Sequence, residues 1–312
     1  MKTACQREPT VYTNIRTRFR WVADGLLLPE TPCNFIAHFH SETAYYPKHD
    51  GWLSIKSASN GQELYNIDRQ RLAVDDASYL ILNEGQSYAS EIDAGTPVES
   101  FAVFFDPSFA ADVLRSLVTS SDQLLDVPQD FSQPVTFFQQ LYGEDDCITP
   151  VLTRLRQEIA DGTVSQGWLE EQFHLLLERL IRKHRQIGCE IEEMTSFRHS
   201  IRVELYRRLH LAQDYMVTNL HNPLTLPEIA TVSCFSPHHF LRTFKQAFHE
   251  TPHQFLVRKR LERARRLLAL TDRSVSEICF MVGFESLGSF SALFSRRTGM
   301  PPTVFRKLHA AN

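Results

Sequence analysis

The last hundred residues spell one structural pattern twice, which constrains this part of the chain to build the same helical unit twice. The first copy runs Thr225-Leu-Pro-Glu228-Ile229-Ala230, then a short turn, then Ser236-Pro237-His-His-Phe240-Leu-Arg242-Thr-Phe244. The second runs Ser274-Val-Ser-Glu277-Ile278-Cys279, a turn through Gly283-Phe284, then Ser286-Leu-Gly-Ser-Phe290-Ser-Ala-Leu-Phe294. Each opens with Ser or Thr followed three residues later by Glu, the capping box that satisfies free amides at a helix start. Each then puts Ile and a small residue on a first helix, and Phe at i and i+4 on a second. The offset is 49 residues in the first helices and 50 in the second, so the second turn carries one extra residue. Both copies end alike, with Thr251-Pro252 before Phe255 and Pro301-Pro302 before Phe305. A helix, a tight turn and a second helix with a polar outer face is a device for placing side chains in a DNA major groove.

Charge supports the same reading once the chain is divided. The net charge of −4 over 312 residues averages two unlike parts. Residues 199–312 hold 16 Lys/Arg against 8 Asp/Glu, while residues 1–198 hold 17 against 29. A basic part joined to an acidic one implies a polyanionic partner for the basic part. The length predicts two domains. The cysteines Cys5, Cys33, Cys147, Cys189, Cys234 and Cys279 are scattered, with no Cys-x-x-Cys pair, which predicts reduced thiols rather than a disulfide framework or zinc fingers. Residues Met1–Glu8 have no signal-peptide core and no run reaches the length of a membrane span, so a cytoplasmic location is expected.

From about Arg16 to Asp106 the pattern is that of β-structure. Short apolar or alternating runs occur at Phe35–Phe39, Trp52–Ile55, Leu64–Ile67, Arg71–Val74, Tyr79–Leu82 and Glu99–Phe105, divided by turn signals such as Asp50-Gly51, Asn60-Gly61 and Glu84-Gly85. Their close spacing predicts an antiparallel barrel or sandwich. After Pro107 the period becomes helical, at Phe109–Val118, Pro150–Ala160 and Gln166–Arg185. The stripe Leu169, Phe173, Leu176, Leu177, Leu180 on the last of these either packs on the barrel or joins two subunits. A linker is expected at residues 187–198, where Cys189–Ser196 breaks the pattern with three acidic residues. Leu205, Leu209, Ala212 and Met216 then mark a helix ending at His221-Asn222-Pro223. Phe255–Leu270 forms a strut with core face Val257, Leu261, Ala264 and Leu268, and with Arg258, Lys259, Arg260, Arg263, Arg265 and Arg266 on the remainder.

Helical geometry sorts the two second helices into faces. With Phe240 and Phe244 inward, ~100° per residue sets His238, Arg242 and Lys245 outward, flanked by His239, Leu241 and Gln246. Arg pairs bidentately with guanine, Gln with adenine, and an apolar side chain meets a thymine methyl. Pro237 after Ser236 suits a helix start that faces a phosphate. With Phe290 and Phe294 inward, the second helix presents Gly288, Ala292 and Ser295, flanked by Ser289 and Ser291, all too short for long-reach base readout. The first motif is therefore expected to supply most direct specificity, and the second to position the protein through Ser286, Ser289, Arg296 and Arg297.

The tail resembles the C-terminal domain of AraC/XylS-type bacterial transcription regulators over about residues 199–309. The residues that carry the resemblance are Ile229-Ala230, Phe240 with Phe244-Lys245, Ile278-Cys279-Phe280-Met281-Val282-Gly283-Phe284, Ser289-Phe290, Phe294, Arg297-Thr298-Gly299-Met300-Pro301-Pro302 and Phe305-Arg306. The resemblance implies two helix–turn–helix units on a seven-helix domain, with base-facing positions at His238, Leu241 and Arg242, and at Gly288, Ser289 and Ala292. Members more often carry longer polar residues in the second set, and this chain departs there. The first half resembles the cupin-like sensor domain of such regulators: Val74–Tyr88 fits the second cupin motif in outline. Metal-binding cupins would have Gly at Ala77, Pro at Asn83 and His at Tyr88. His38-Phe39-His40-Ser41-Glu42 places two imidazoles on one strand face, but its glutamate spacing departs from the cupin pattern, and it is read as surface or core histidines rather than a metal centre.

The fold expected is thus α+β and multidomain. An antiparallel cupin-like barrel with a helical segment that could mediate dimerisation occupies 1–186, and an all-α DNA-binding domain with two helix–turn–helix motifs occupies 199–312. The function expected is transcription regulation on double-stranded DNA, without catalytic residues, cofactor, metal or membrane partner. A small-molecule effector would bind in the barrel among Tyr46, Trp52, Tyr65 and Tyr88. RNA polymerase is the further partner if the protein activates, and a homodimer is the assembly considered. The alternatives are control by a partner protein through Gln166–Arg185, and a metal-dependent cupin enzyme fused to a DNA-binding domain.

Overall fold

The computed structural model describes residues 10–13, 19–22, 26–118, 136–194 and 198–309. The Met1–Glu8 segment, Cys5, Arg16 and the Thr195-Ser196 end of the expected hinge lie outside them. The chain divides into two compact units, residues 1–199 and 200–312. Among the described residues, no helix is long and apolar enough to cross a membrane.

The first unit is built on two unusually long strands. Strand β4 (Phe35–Asp50) and β9 (Ser87–Phe104) pair antiparallel from Phe35 opposite Phe104 to Asp50 opposite Ser87, with register shifts at Ser41/Thr43 and Tyr46/His49. Such shifts bend a strand and raise its twist. The alternating runs at Phe35–Phe39 and Glu99–Phe105 were therefore the ends of much longer elements. On its other edge β9 takes two partners in turn. Its first part pairs with β6 (Gln62–Ile67), its second with β5 (Ser54–Ser59). Strand β7 (Gln70–Asp75) extends the first half through β6. Strand β8 (Ser78–Leu82) and β10 (Leu141–Gly143) extend the second through β5, and β1 (Thr10–Thr13) adds to β4. These make one eight-stranded antiparallel sheet, beside a two-stranded hairpin of β2 (Phe19–Val22) and β3 (Leu26–Pro29).

The sheet folds so that its inward residues meet. Tyr65, Ile67, Leu72, Val74, Tyr88 and Ile92 of one half close against Ala58, Leu80, Leu82 and Val98 of the other. Helix α1 (Pro107–Val118), α2 (Thr149–Ala160) and α3 (Gln166–Glu193) follow. The stripe Leu169, Phe173, Leu176, Leu177 and Leu180 is buried, and Phe173 meets Phe105 edge-on at 6.3 Å. It packs inside its own unit, which removes that stripe as a face between subunits. Helix α3 also runs to Glu193, so residues 187–193 of the expected linker are helical. Buried Ile187 and Ile191 continue its apolar face, and this outweighs the acidic run that suggested a break.

The second unit is all helical. Helix α4 (His199–Thr218) is followed by α5 (Leu226–Val232) and α6 (Pro237–Phe248), then by the 19-residue α7 (Pro252–Leu270). Helices α8 (Val275–Met281), α9 (Leu287–Thr298) and α10 (Pro302–His309) repeat the α5–α6–α7 start. Both expected capping boxes form, Thr225 with Glu228 and Ser274 with Glu277. A third, Thr251 with Gln254, starts α7 three residues earlier than its apolar period suggested.

The two turns are the same turn. Phe235 N–H bonds Ala230 C=O at 2.8 Å, and Phe284 N–H bonds Cys279 C=O at 3.0 Å. The extra residue of the second copy is therefore Glu285, between Phe284 and the N-cap Ser286. Each motif also has two left-handed positions, at the turn and at the end of the second helix. The second copy fills them with Gly283 (φ 87°) and Gly299 (φ 81°), whereas the first has Cys234 (φ 58°) and His249 (φ 57°). A Cβ in that region costs about 1–2 kcal/mol. Cys234→Gly should therefore raise the stability of this unit by about 0.5–1 kcal/mol in chemical denaturation. Gly283→Ala should lower it by more than about 2 kcal/mol, because its Cβ would lie 2.5 Å from the Leu220 carbonyl oxygen as well as in a strained φ.

Candidate functional site

Each motif rests on a chain of four phenylalanines. In the first, Phe235 meets Phe240 at 6.0 Å, Phe240 meets Phe244 at 5.4 Å, and Phe244 meets Phe255 at 5.8 Å. In the second, Phe284, Phe290, Phe294 and Phe305 repeat this at 5.3, 5.6 and 5.5 Å. Burying these rings fixes which face of each second helix turns outward. On α6, Ser236, His238, His239, Leu241, Arg242, Lys245 and Gln246 are all exposed. On α9, Ser286, Gly288, Ser289, Ala292 and Arg296 are exposed, while Ser291 and Ser295 are half-buried.

The two helix starts differ. Ser286 accepts a hydrogen bond from the Ser289 amide, so its hydroxyl oxygen caps α9. Ser236 makes no such cap, and Pro237 occupies the first turn of α6. The amides of His238 and His239 thus have no side-chain cap among the described residues, at a helix end where the dipole favours negative charge.

Ion pairing separates structural cations from available ones. Arg258 bonds Glu250 at 2.6 Å and Glu262 at 2.9 Å, and Lys259 pairs with Glu262 at 3.0 Å. Arg260 donates to the carbonyls of Leu220 and Asn222, both at 2.7 Å, and so ties α7 to the end of α4. The α7 surface is accordingly not the uniformly free basic face that its composition suggested. Lys245, Arg296 and Arg297 have no carboxylate partner among the described residues. Arg242 touches only the His239 ring nitrogen, at 3.5 Å.

In the first unit, three of the four aromatic candidates share one interior. Tyr65 and Tyr88 are buried with ring centroids 6.0 Å apart. Burial, then the Glu63 charge, pushes both phenols above their ordinary range, and the same two causes push half-buried Tyr46 up to about 12. Trp52 lies edge-on to Phe35 at 5.9 Å, and Phe35 stacks on Phe104 at 4.4 Å. Sequence reasoning missed Lys56 and Glu63, both 3% exposed and both inward-facing. Their signal was a charge at an inward position of an alternating strand. The Lys56 ammonium lies 3.8 Å from the Phe104 ring centre and 5.2 Å from that of Tyr88.

His38 and His40 face the opposite side of the sheet. The carboxylate brought to them is Glu99, not Glu42, and the three ligand atoms lie within 4.8 Å of one another. Glu99 is already engaged: it bonds His38 Nε2 at 2.8 Å and the Ser59 hydroxyl, and lies 3.7 Å from Arg156 Nε of α2. A group so occupied pins a helix to the sheet, which accounts for the cluster without an ion.

Residues 229–308 match the family model described as a helix-turn-helix domain. The protein named Probable transcriptional regulator LumQ, of Photobacterium leiognathi, is 33% identical over 96 residues, which cover 31% of this chain and 39% of LumQ. The Uncharacterized HTH-type transcriptional regulator YdeC of Bacillus subtilis is 21% identical over 278 residues, covering 88% of this chain and 86% of YdeC. An AraC-type DNA-binding domain protein of known structure from Chromobacterium violaceum is 31% identical, covers 33% of this chain and 92% of its own, and superposes with a TM-score of 0.32. The chain spans less than half the length of the curated relatives it first matches. The C-terminal unit carries a helix–turn–helix domain of the AraC type.

The Glu99 cluster generates a pH prediction. The hydrogen bond from His38 above all, against the opposing effect of burial, holds the Glu99 carboxyl down at about 2, from an ordinary 4.5. A depressed carboxyl stabilises the fold above its unfolded pKa and loses that effect as pH falls towards its folded one. Glu99→Gln should therefore lower the melting temperature at pH 7, and the gap from wild type should narrow between about pH 4.5 and 2, as melting curves across that range would show.

Proposed function

We propose that this chain is a sequence-specific DNA-binding transcription regulator, whose α6 enters a major groove and reads base edges through Arg242, His238 and Leu241. The observation that carries the reading is the sorting on α6. Phe240 and Phe244 are fully buried, its outer residues are all exposed, and among the described residues Arg242 and Lys245 are free of carboxylate partners while Arg258 on the adjoining α7 is paired with Glu250 and Glu262. His239, Gln246 and Lys245 flank the reading positions. Ser236 and the uncapped α6 start take a phosphate. In the second motif Ser286, Gly288, Ser289 and Ala292 allow close approach to the backbone, and Arg296 adds charge, so α9 positions more than it reads. At ~1.5 Å per residue α7 spans roughly 28 Å, a rigid spacer on the scale of the ~34 Å duplex repeat.

In this reading the sheet unit binds a small effector in the interior where Tyr46, Tyr65 and Tyr88 converge, with Trp52 at its edge. The effector then changes the population competent for DNA. Partial burial of Tyr46 and Trp52 beside buried polar groups supports that placement.

Selection of bound sequences from a random DNA pool, at two salt concentrations, should enrich one strongly defined block and a weaker one about a helical turn away. Two equally defined blocks would contradict the unequal roles of α6 and α9. Arg242→Ala should cost ~1–3 kcal/mol at the selected site and relax preference at one base pair, whereas Lys245→Ala should weaken binding to all sequences alike. An unchanged sequence preference in Arg242→Ala would show that α6 is turned differently in the groove.

A further inference from the structure

Antiparallel pairing places Lys56 on the inner face of the sheet unit. It sits on β5 opposite Ala102 of β9 and Leu80 of β8, and its inward neighbours along the strand are Ser54 and Ala58. Ser54, Ala58, Ser100 and Ala102 on this face of β5 and β9 are small for a sheet interior, while Leu80 of β8 and the rings of Phe104 and Tyr88 complete the surroundings. Among the described residues Lys56 Nζ makes no hydrogen bond and no ion pair, and its contacts are the ring faces of Phe104 and Tyr88. Glu63, the buried carboxylate whose charge acts on Lys56, is held by the Ser100 hydroxyl at 2.7 Å and by the Tyr65 phenol. Its charge reaches Lys56, yet burial outweighs it and pushes the ammonium pKa down to about 7.

Burying an ammonium without a hydrogen-bonding partner is strongly unfavourable, so such a group is rarely kept where an apolar side chain would serve. Cation–π contact with the two rings offsets part of that cost. What the ammonium lacks, among the described residues, is an acceptor within hydrogen-bond reach, since the Glu63 carboxylate acts on it only at longer range.

We infer that Lys56 anchors the carboxylate of a small organic acid whose apolar body lies against Phe104, Tyr88 and Tyr65. The inference rests on the effector reading of the sheet unit and names the class of effector. The carboxylate accepts from the ammonium, a charge-assisted bond stronger than a neutral one. The rings of Phe104 and Tyr88 favour a flat or hydrocarbon body, and Ser54, Ala58, Ser100 and Ala102 are the small side chains on the same face.

The test uses the full-length protein and matched acid–amide pairs: benzoate with benzamide, phenylacetate with phenylacetamide, hexanoate with hexanamide. Calorimetric titration should show at least one acid binding about tenfold more tightly than its amide, as one charge-assisted hydrogen bond supplies. Lys56→Met should abolish that preference and, without any probe, raise the melting temperature by about 2–4 °C, since it removes an unpaired buried charge. Lys56→Arg keeps the charge and should keep the preference, so the inference stays open to refutation even if the methionine variant fails to fold. Equal binding of acids and amides, a preference that survives Lys56→Met, or stabilisation only by uncharged polyols would each overturn the carboxylate anchor while leaving an effector site in place. If no probe of either kind binds and a broad thermal-shift library stabilises nothing, the effector reading falls with it.

Discussion

The C-terminal unit depends on one repeated contact, the edge-to-face and tilted packing of four phenylalanines in each motif. Phe235, Phe240, Phe244 and Phe255, and again Phe284, Phe290, Phe294 and Phe305, run from the turn through the second helix to the helix that follows. Aromatic pairs at these separations contribute about 0.5–1.5 kcal/mol each beyond area burial. Their larger effect here is directional. A helix pinned at i and i+4 by buried rings has no rotational freedom about its axis, so the outward positions are determined by the inward ones. The polar surface of α6 is a consequence of its core.

That constraint also explains why composition alone misjudged the basic surface. Net charge counts every arginine equally, but packing does not. Arg258 and Lys259 are drawn to Glu250 and Glu262, and Arg260 closes the end of α4 while bracing Gly283. The cations left without such partners stand on the exposed side of α6 and at the end of α9, where the helix start or the helix end sets the local field. The proposed DNA contacts fall on those places, where Arg242, Lys245, Arg296 and Arg297 have no carboxylate partner among the described residues.

Much of this was legible in the chain because the signals were local. Capping boxes, i and i+4 phenylalanines and the extra turn residue each involve partners within a few positions, and the structure realises them at Thr225, Ser274 and Glu285. The sheet unit was legible as strands but not in extent. Strands β4 and β9 are long because they pair with each other across 37 to 69 positions of sequence, from Asp50–Ser87 to Phe35–Phe104, and no local period reports a partner that distant. The same limit hid Glu99. It stands opposite His40 only through the register of β4 on β9, while Glu42, four residues from His38, was the carboxylate that sequence distance suggested. The run of acidic residues after Cys189 misled in the opposite sense, since Ile187 and Ile191 held the helix together on its buried face.

The interior of the sheet unit departs most from what patterning demands. Inward positions of a folded sheet are expected to be apolar, and Ile67, Leu72, Val74, Leu80 and Leu82 obey. Lys56, Glu63, Ser54, Ser90 and Ser100 do not, although all are buried. A single buried polar residue bonded to the backbone would be ordinary. Here the polar groups gather where the two halves of the sheet face each other, with Ser100 of one half bonded to Glu63 of the other. Replacing them with well-packed apolar residues would in general be neutral or stabilising. A fold that places them there loses stability relative to that alternative, and such losses collect at functional sites. In the effector proposal, that loss is what a binding surface on the inner face of the sheet would cost, with the Lys56 ammonium as the group that lacks a hydrogen-bonding partner among the described residues.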